Sequence, residues 1–279
     1  MDDFLLLCRR FGHLEDLVQA GGGNVSVKIS ETHSIIKASG FSLSDVTKDK
    51  GYTILNHSTV TNDGPLEPHV VCGPTPSIET YFHVFLKKYV VHIHPTTFLP
   101  ALCQKSVPRA YDYCKPGAEL ARQIQKTYTG SNVILLQNHG VIFTADTVSE
   151  LMDIAALEYE NYRLPQYLPL RSFWEIQDEF PGEYVYKISL AETLAYSPIL
   201  RSINIRNLTP DIALFLHNAI HLVGEYTFIH APTKAKCLAI LEVLRSYCEV
   251  VKYCGNALTE MQVAEILNWP SEQKRKAMQ

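Results

Sequence analysis

Apolar residues recur at helical spacing near the start of the chain. Phe4, Leu7, Phe11, Leu14 and Val18 form one stripe, which predicts a helix over residues 3–20 that Gly21-Gly22-Gly23 stops. From Asn24 to Ile29 the period changes to two, so that Asn24, Ser26 and Lys28 share one sheet face and Val25, Val27 and Ile29 the other. Further strands are predicted at Ser34 to Ser39, Tyr52 to Leu55, Val90 to His94, Val133 to Gln137 and Val141 to Thr144. Helices are predicted between them at Ser77 to Lys88, Pro116 to Tyr128 and Thr147 to Arg163, the last opened by the capping box Thr147-x-x-Glu150. Several connections are too short for parallel crossovers, so the pattern predicts an α/β fold with a largely antiparallel sheet flanked by helices.

The pattern loosens after Pro165. Pro169, Pro181, Gly182 and Pro198 punctuate residues 169–205, read as a connector with one helical piece near Ser189 to Tyr196. A small C-terminal α/β unit is expected over 206–279. There the apolar runs Ile212 to Leu216, Tyr226 to Ile229 and Val250 to Tyr253 alternate with helices at Thr233 to Tyr247 and Thr259 to Met278. Residues 1–168 then form the main domain, and no internal repeat is visible.

Charge narrows the function classes. A net charge of -4 with scattered basic residues leaves no excess to neutralise a nucleic-acid backbone. The terminal Lys274-Arg275-Lys276 reads as the basic end of a last helix. Seven cysteines without a CxxC pair are not a disulfide framework, which points to a reducing cytoplasm. No run approaches membrane-spanning length, and the stretch from Phe4 to Cys8 is too short for a signal-peptide core.

Candidate chemistry lies at the strand ends. In Val90-Val91-His92-Ile93-His94-Pro95 the two histidines project from one face roughly 6 to 7 Å apart, close enough to converge on one ion, and Pro95 ends the strand. Asn138-His139-Gly140 interrupts two apolar runs at a tight turn and supplies a third imidazole. Three neutral histidines with an open fourth position suit a catalytic zinc, a Lewis acid toward a substrate oxygen. Glu79 at the start of the Ser77 helix is the natural base, and His83 one turn on reads as a buried partner rather than a ligand. Anion binding is suggested by Asn24, Ser26 and Lys28, by Lys37-Ala38-Ser39-Gly40, and by Ser77 at a helix N-terminus.

Taken in order, Gly23-Asn24-Val25-Ser26, Lys37-Ala38-Ser39-Gly40, Ser77-Ile78-Glu79 with His83, His92-x-His94-Pro95 and Asn138-His139-Gly140 resemble the class II aldolase/adducin family over about the first 165 residues. Tyr113-x-x-Pro116-Gly117 and the ending Leu258 to Trp269 look like its rhamnulose-phosphate-aldolase-like branch. The resemblance implies a three-layer α/β/α sandwich, one zinc per subunit on His92, His94 and His139, Glu79 as acid/base, and a homotetramer with sites between subunits. Asn24, Ser39, Gly40 and Ser77 would line a phosphate pocket, with Lys28 or Lys37 assisting. The implied reaction cleaves a ketose 1-phosphate, or a related sugar, to dihydroxyacetone phosphate and an aldehyde through a metal-stabilised enediolate.

Two positions depart from the fuculose-phosphate type. Ile78 stands where a second serine is expected, and the proton-donating tyrosine has no assigned counterpart, Tyr111 and Tyr113 both lying near the place. An epimerase or dehydratase on the same scaffold, and a non-catalytic adducin-like module, are the other readings.

Overall fold

The alternation starting at Asn24 becomes β1 (Asn24–Lys28), an inner strand of an eight-stranded sheet. Its companions are β2 (His33–Lys37), β3 (Tyr52–Asn56), β4 (Val70–Cys72), β5 (Tyr89–Ile93), β6 (Ala110–Tyr111), β7 (Val133–Leu136) and β8 (Gly140–Ala145). They lie in the order β4-β3-β2-β1-β5-β8-β7-β6. Every pairing is antiparallel except that of β6 with β7. This computed structural model describes residues 1–14, 16–62, 64–103, 108–163, 168–189, 191–193, 195, 219–223, 226–251, 261 and 264.

Helices cover both faces of the sheet. These are α1 (Asp2–Gly12), α2 (Thr80–His83), the single turn α3 (Leu99–Leu102), α4 (Ala118–Thr127) and α5 (Val148–Tyr162). On one face Phe82, Leu86, Leu120, Ala121 and Ile124 pack against Val90, Ile134, Leu136 and Ile142. On the other, the Phe4 ring meets Tyr52 edge-on at 6.1 Å and Asp3 accepts the Tyr89 hydroxyl, while α5 lies against β8. The fold is therefore the expected α/β type, with a mostly antiparallel sheet between helical layers.

The register sorts the polar residues by face. Directly paired residues share a face, so Asn24, paired with His92, points to the α2 side. Val25 pairs with Val91 on the opposite side. Lys37 and Tyr52 pair with each other, and Tyr52 meets Phe4 of α1, so Lys37 lies on the α1 side.

Two predicted helices are shorter than the pattern implies. The first ends at Gly12 although Leu14 and Val18 are buried as expected. Residues 16 and 17 leave the helix because their carbonyls accept the amides of Thr96 and His94, extending the pairing beyond the end of β5. The predicted helix Ser77 to Lys88 survives only as the turn α2. After it the Lys88 and Leu86 carbonyls are taken by the Lys28 backbone amide and ammonium, which steers the chain into β5. By contrast α5 starts where the capping box put it, with Thr147 Oγ1 accepting the Glu150 amide at 3.2 Å. The Glu150 carboxylate reaches back to the Asp146 amide. Thr147→Ala should lower stability by about 1 kcal/mol, read as a lower urea midpoint with unchanged metal content.

The chain divides into two compact units, Met1–Arg171 and Ser172–Gln279. Within residues 169–205, read as a connector, lie α6 (Leu170–Glu179) and β9 (Tyr184–Lys187). β9 pairs with β11 (Tyr226–Ala231), which pairs with β10 (Ile220–Val223), in an antiparallel sheet of order β10-β11-β9. Pro169 precedes α6, and Pro181 and Gly182 form the turn between α6 and β9. The helix α7 (Lys234–Val251) covers this sheet, with Cys237, Leu241, Leu244 and Cys248 packed on Tyr184, Ile188, Ile229 and Ala231. Val250 and Val251 continue that helix rather than starting a new run. Residues 191–193 and 195 are helical, as expected near Ser189. The predicted elements at Ile212 to Leu216 and Thr259 to Met278 lie outside the described residues, apart from helical positions at 261 and 264.

Candidate metal centre

β5 delivers His92 and His94 to one end of the sheet, and the hairpin joining β7 to β8 brings His139 over them. Leu136 pairs with Gly140, leaving Gln137, Asn138 and His139 as a three-residue loop in which Asn138 takes φ +54°. Asparagine tolerates this left-handed geometry better than most side chains. The imidazoles converge through their Nε2 atoms, His92 lying 2.9 Å from His94 and 3.3 Å from His139. Glu79 Oε1 lies 3.2 Å from both His92 Nε2 and His139 Nε2. All four ligand atoms fall within 4.8 Å of one another.

Tautomer and charge both suit a cation. His92 Nδ1 meets the Val141 carbonyl at 3.0 Å and must donate to it, which leaves Nε2 with its lone pair. Burial, and then the neighbouring His92, push His94 down to about 3, so it is neutral at neutral pH. Burial by itself would raise the Glu79 carboxyl. The adjacent His92 and His139 imidazoles outweigh burial and hold it well below the usual carboxylate range. Nitrogen ligands on a tetrahedral zinc, each about 2.0 to 2.1 Å from the ion, stand about 3.3 Å apart, so the spacing of these nitrogens fits. Lone pairs this close repel unless a positive charge sits between them, and a divalent cation supplies it.

Glycine permits the close packing. A Cβ on Gly140 would lie 2.3 Å from the Ile93 carbonyl oxygen, 3.0 Å from His94 Cδ2 and 3.3 Å from His92 Cε1. Gly140→Ala should therefore spread β5 from β8, costing roughly 2 to 3 kcal/mol of stability. Because both imidazoles would move, affinity for a divalent cation should fall at least about tenfold in a chelator competition.

The supporting residues have more specific positions than the sequence implied. Asn24 Nδ2 donates to Glu79 Oε2 at 2.5 Å, so this residue, expected in an anion pocket, orients the carboxylate. Ser77 Oγ accepts the Glu79 amide at 3.3 Å. Ser26 Oγ meets His83 Nδ1 at 2.7 Å on the same buried face. Burial pushes His83 down to about 3, so it is a neutral support behind Glu79, in keeping with its expected role as a buried partner. The sequence signal for these bonds was the polar alternation of β1, which named the residues but not their partners.

Ser39 and Gly40 are exposed beside this face. The Ser39 amide bonds the Thr75 carbonyl at 2.9 Å, Ala38 bridges Pro76 and the Ser77 amide bonds the Lys37 carbonyl at 3.4 Å, so residues 37–39 run antiparallel to 75–77. The two lysines do not join them. Lys28 is four residues along β1 from Asn24, about 13 Å away, with Nζ on the Leu86 carbonyl at 2.5 Å. Lys37 lies on the α1 side, 2% exposed, its ammonium bonded to the Gly21 and Phe41 carbonyls at 3.0 and 2.7 Å. The Tyr111 hydroxyl accepts from Thr127 in α4, while Tyr113 is exposed.

A family model described as Class II Aldolase and Adducin N-terminal domain matches residues 2–161. The chain belongs to the class II aldolase and adducin family. This family member is similar to the N-terminal class II aldolase domain of a conserved protein from Thermoplasma acidophilum, at 27% identity over 55% of this chain and 86% of that one, with a TM-score of 0.47. It is also similar to a sugar-phosphate aldolase from Thermotoga maritima, at 16% identity over 64% and 96% of the two chains and a TM-score of 0.47. L-fuculose-1-phosphate aldolase from Thermus thermophilus matches at 15% identity over 65% and 96%, with a TM-score of 0.42. No curated protein matches the sequence. Among the described residues no helix is long and apolar enough to cross a membrane.

Proposed function

We propose that this chain is a zinc-dependent aldolase of the rhamnulose-phosphate-aldolase-like branch, acting on a ketose 1-phosphate or a related sugar as a cytoplasmic homotetramer. One observation carries the reading: Glu79 Oε1 stands 3.2 Å from two of the three converging histidines while Asn24 holds its other oxygen. His92, His94 and His139 would hold the ion. When bound, it supplies Lewis acidity that draws electron density from a substrate carbonyl.

The protein's own groups handle the proton. In the condensation direction Glu79 takes a proton from the carbon next to the carbonyl, and in cleavage it returns the proton to that carbon after the carbon–carbon bond breaks. Glu79 is ionised at neutral pH, the form that can accept a proton. Asn24 limits its rotation, which keeps the other oxygen facing the histidines, and Ser77 fixes the Glu79 backbone amide. Ser39, Gly40 and Ser77 seat the far end of the substrate. Retention of Glu79 with all three histidines supports an enzyme over an interaction module.

The test is incubation of zinc-loaded protein with ketose 1-phosphates and with free ketoses, following the three-carbon ketone and the aldehyde. Production of both is expected. An epimer or a dehydrated product would overturn the aldolase reading in favour of another reaction on the same site. Purified protein without stoichiometric divalent metal would favour the interaction module.

A further inference from the structure

A groove of about 1140 Å³ lies over the β7–β6 edge of the large sheet, and its described lining residues all belong to the first unit. Pockets that hold drug-sized ligands run from roughly 300 to 1,000 Å³, so a molecule with several functional groups fits. Among the described residues none of Glu79, His92, His94 and His139 lines it. Its floor is Val133 and Leu135, which alternate along β7 with Ile134 and Leu136 on the α2 side and so face α5. One bank is α5, where Ile154, Leu157, Glu158 and Tyr162 recur at i, i+3, i+4 and i+8 and present one helix face over about 12 Å. Leu157 is 62% exposed there, an apolar surface that a ligand would cover.

Charge is unevenly placed around this floor. Arg109 immediately precedes β6, whose Ala110 pairs with Leu135, so it stands on the bank away from α5. Its backbone takes φ +65°, a left-handed geometry that costs a non-glycine residue of the order of 1 kcal/mol. The guanidinium it presents is a planar fork of donors. Lys87 lies at the start of β7, where its backbone amide donates to Thr144 Oγ1 at 3.0 Å and its ammonium to Asn132 Oδ1. Asn132 in turn donates to Glu150 Oε1 at 2.9 Å, so the ammonium is held in place by a braced partner that takes one of its three protons.

We propose that this groove is a second ligand site, separate from the histidine centre, that takes a nucleotide-like organic phosphate. The phosphate lies on the side of Lys87 and Arg109, where charge-assisted bonds from an ammonium and a guanidinium are the strong ones for a dianion. A flat apolar body covers Val133, Leu135 and Leu157, each Å² of apolar surface removed from water contributing about 25 cal/mol. Hydroxyl or amino donors turn toward the Glu158 carboxylate on the α5 bank. Inorganic phosphate would leave the floor wet, and a ligand with anions at both ends would meet Glu158 with like charge.

Calorimetry of the full chain with the 5′-monophosphates of adenosine, guanosine and uridine, with the free nucleosides and with inorganic phosphate tests the assignment without requiring turnover. At least one nucleotide should bind with a Kd below about 100 μM, and its nucleoside and inorganic phosphate at least about tenfold more weakly. Arg109→Asn, which removes the charge but tolerates the left-handed backbone, should weaken the nucleotide by about tenfold or more. Leu157→Glu, on an exposed helix position, should do the same, with circular dichroism unchanged in both variants. Glu79→Gln should bind the nucleotide as the wild type does. Failure of all three nucleotides to bind below about 1 mM, or inorganic phosphate binding as tightly as they do, would overturn the proposal. Binding lost in Glu79→Gln but kept in Arg109→Asn would place the nucleotide at the histidine centre and overturn it equally. So would a smaller sedimenting mass for Leu157→Glu than for wild type, because a second copy would then cover the groove.

Discussion

His92→Ala protein is expected to purify with well under one zinc per chain and to lose roughly 10³-fold or more in turnover, the scale of removing a preorganised electrostatic stabiliser. His92 would be the central ligand, because its Nε2 lies within 3.3 Å of His94, His139 and Glu79 alike. Its ring is fully buried and its Nδ1 is fixed by the Val141 carbonyl, so no neighbouring side chain can swing in to replace it. Elemental analysis of the dialysed variant beside wild type measures the metal. Solvent-deuterium exchange into dihydroxyacetone and its phosphate, followed by proton NMR, reads the chemistry without knowing the aldehyde. One zinc per chain together with wild-type exchange in this variant would show that the three imidazoles do not form the centre.

Glu79→Gln should separate binding of the metal from movement of the proton. The substitution keeps the shape of the side chain and an oxygen for Asn24, and leaves three histidines for the ion, so zinc should remain near one per chain. The amide cannot accept the carbon-bound proton, and deuterium exchange should slow by about 10² to 10⁴. If instead zinc were lost in proportion to activity, Glu79 would be a fourth ligand rather than the base. The contrast with His92→Ala matters because one variant loses metal and chemistry together, whereas the other loses chemistry alone.

Much of the site was legible before folding was considered. Two-residue spacing in a strand placed His92 and His94 on one face whatever the rest of the chain did. The out-of-place His139 between two apolar runs marked a turn, and polar alternation put Asn24 and Ser26 together. Distances between partners were not legible. Asn24 and Glu79 stand 55 positions apart, and their 2.5 Å bond exists only because β1 pairs with β5 in a register that sets Asn24 opposite His92. The lysines mislead for the same reason: spacing along β1 says that Lys28 shares a face with Asn24, but not that it is bonded to Leu86 at the other end.

The sequence by itself determined the periods, the caps and the residue types: which segments alternate, where α5 begins, and that three imidazoles and a carboxylate are available. Those features depend on neighbours within a few positions, where side-chain geometry is set by the local backbone. Tertiary structure alone decided where α1 stops and α2 fails to extend, which face Lys37 takes, and that residues 184–187 join β11 in a second sheet. In each case a distant backbone group or strand partner competes for the same carbonyl, ammonium or edge, and local propensity is too weak to resist it.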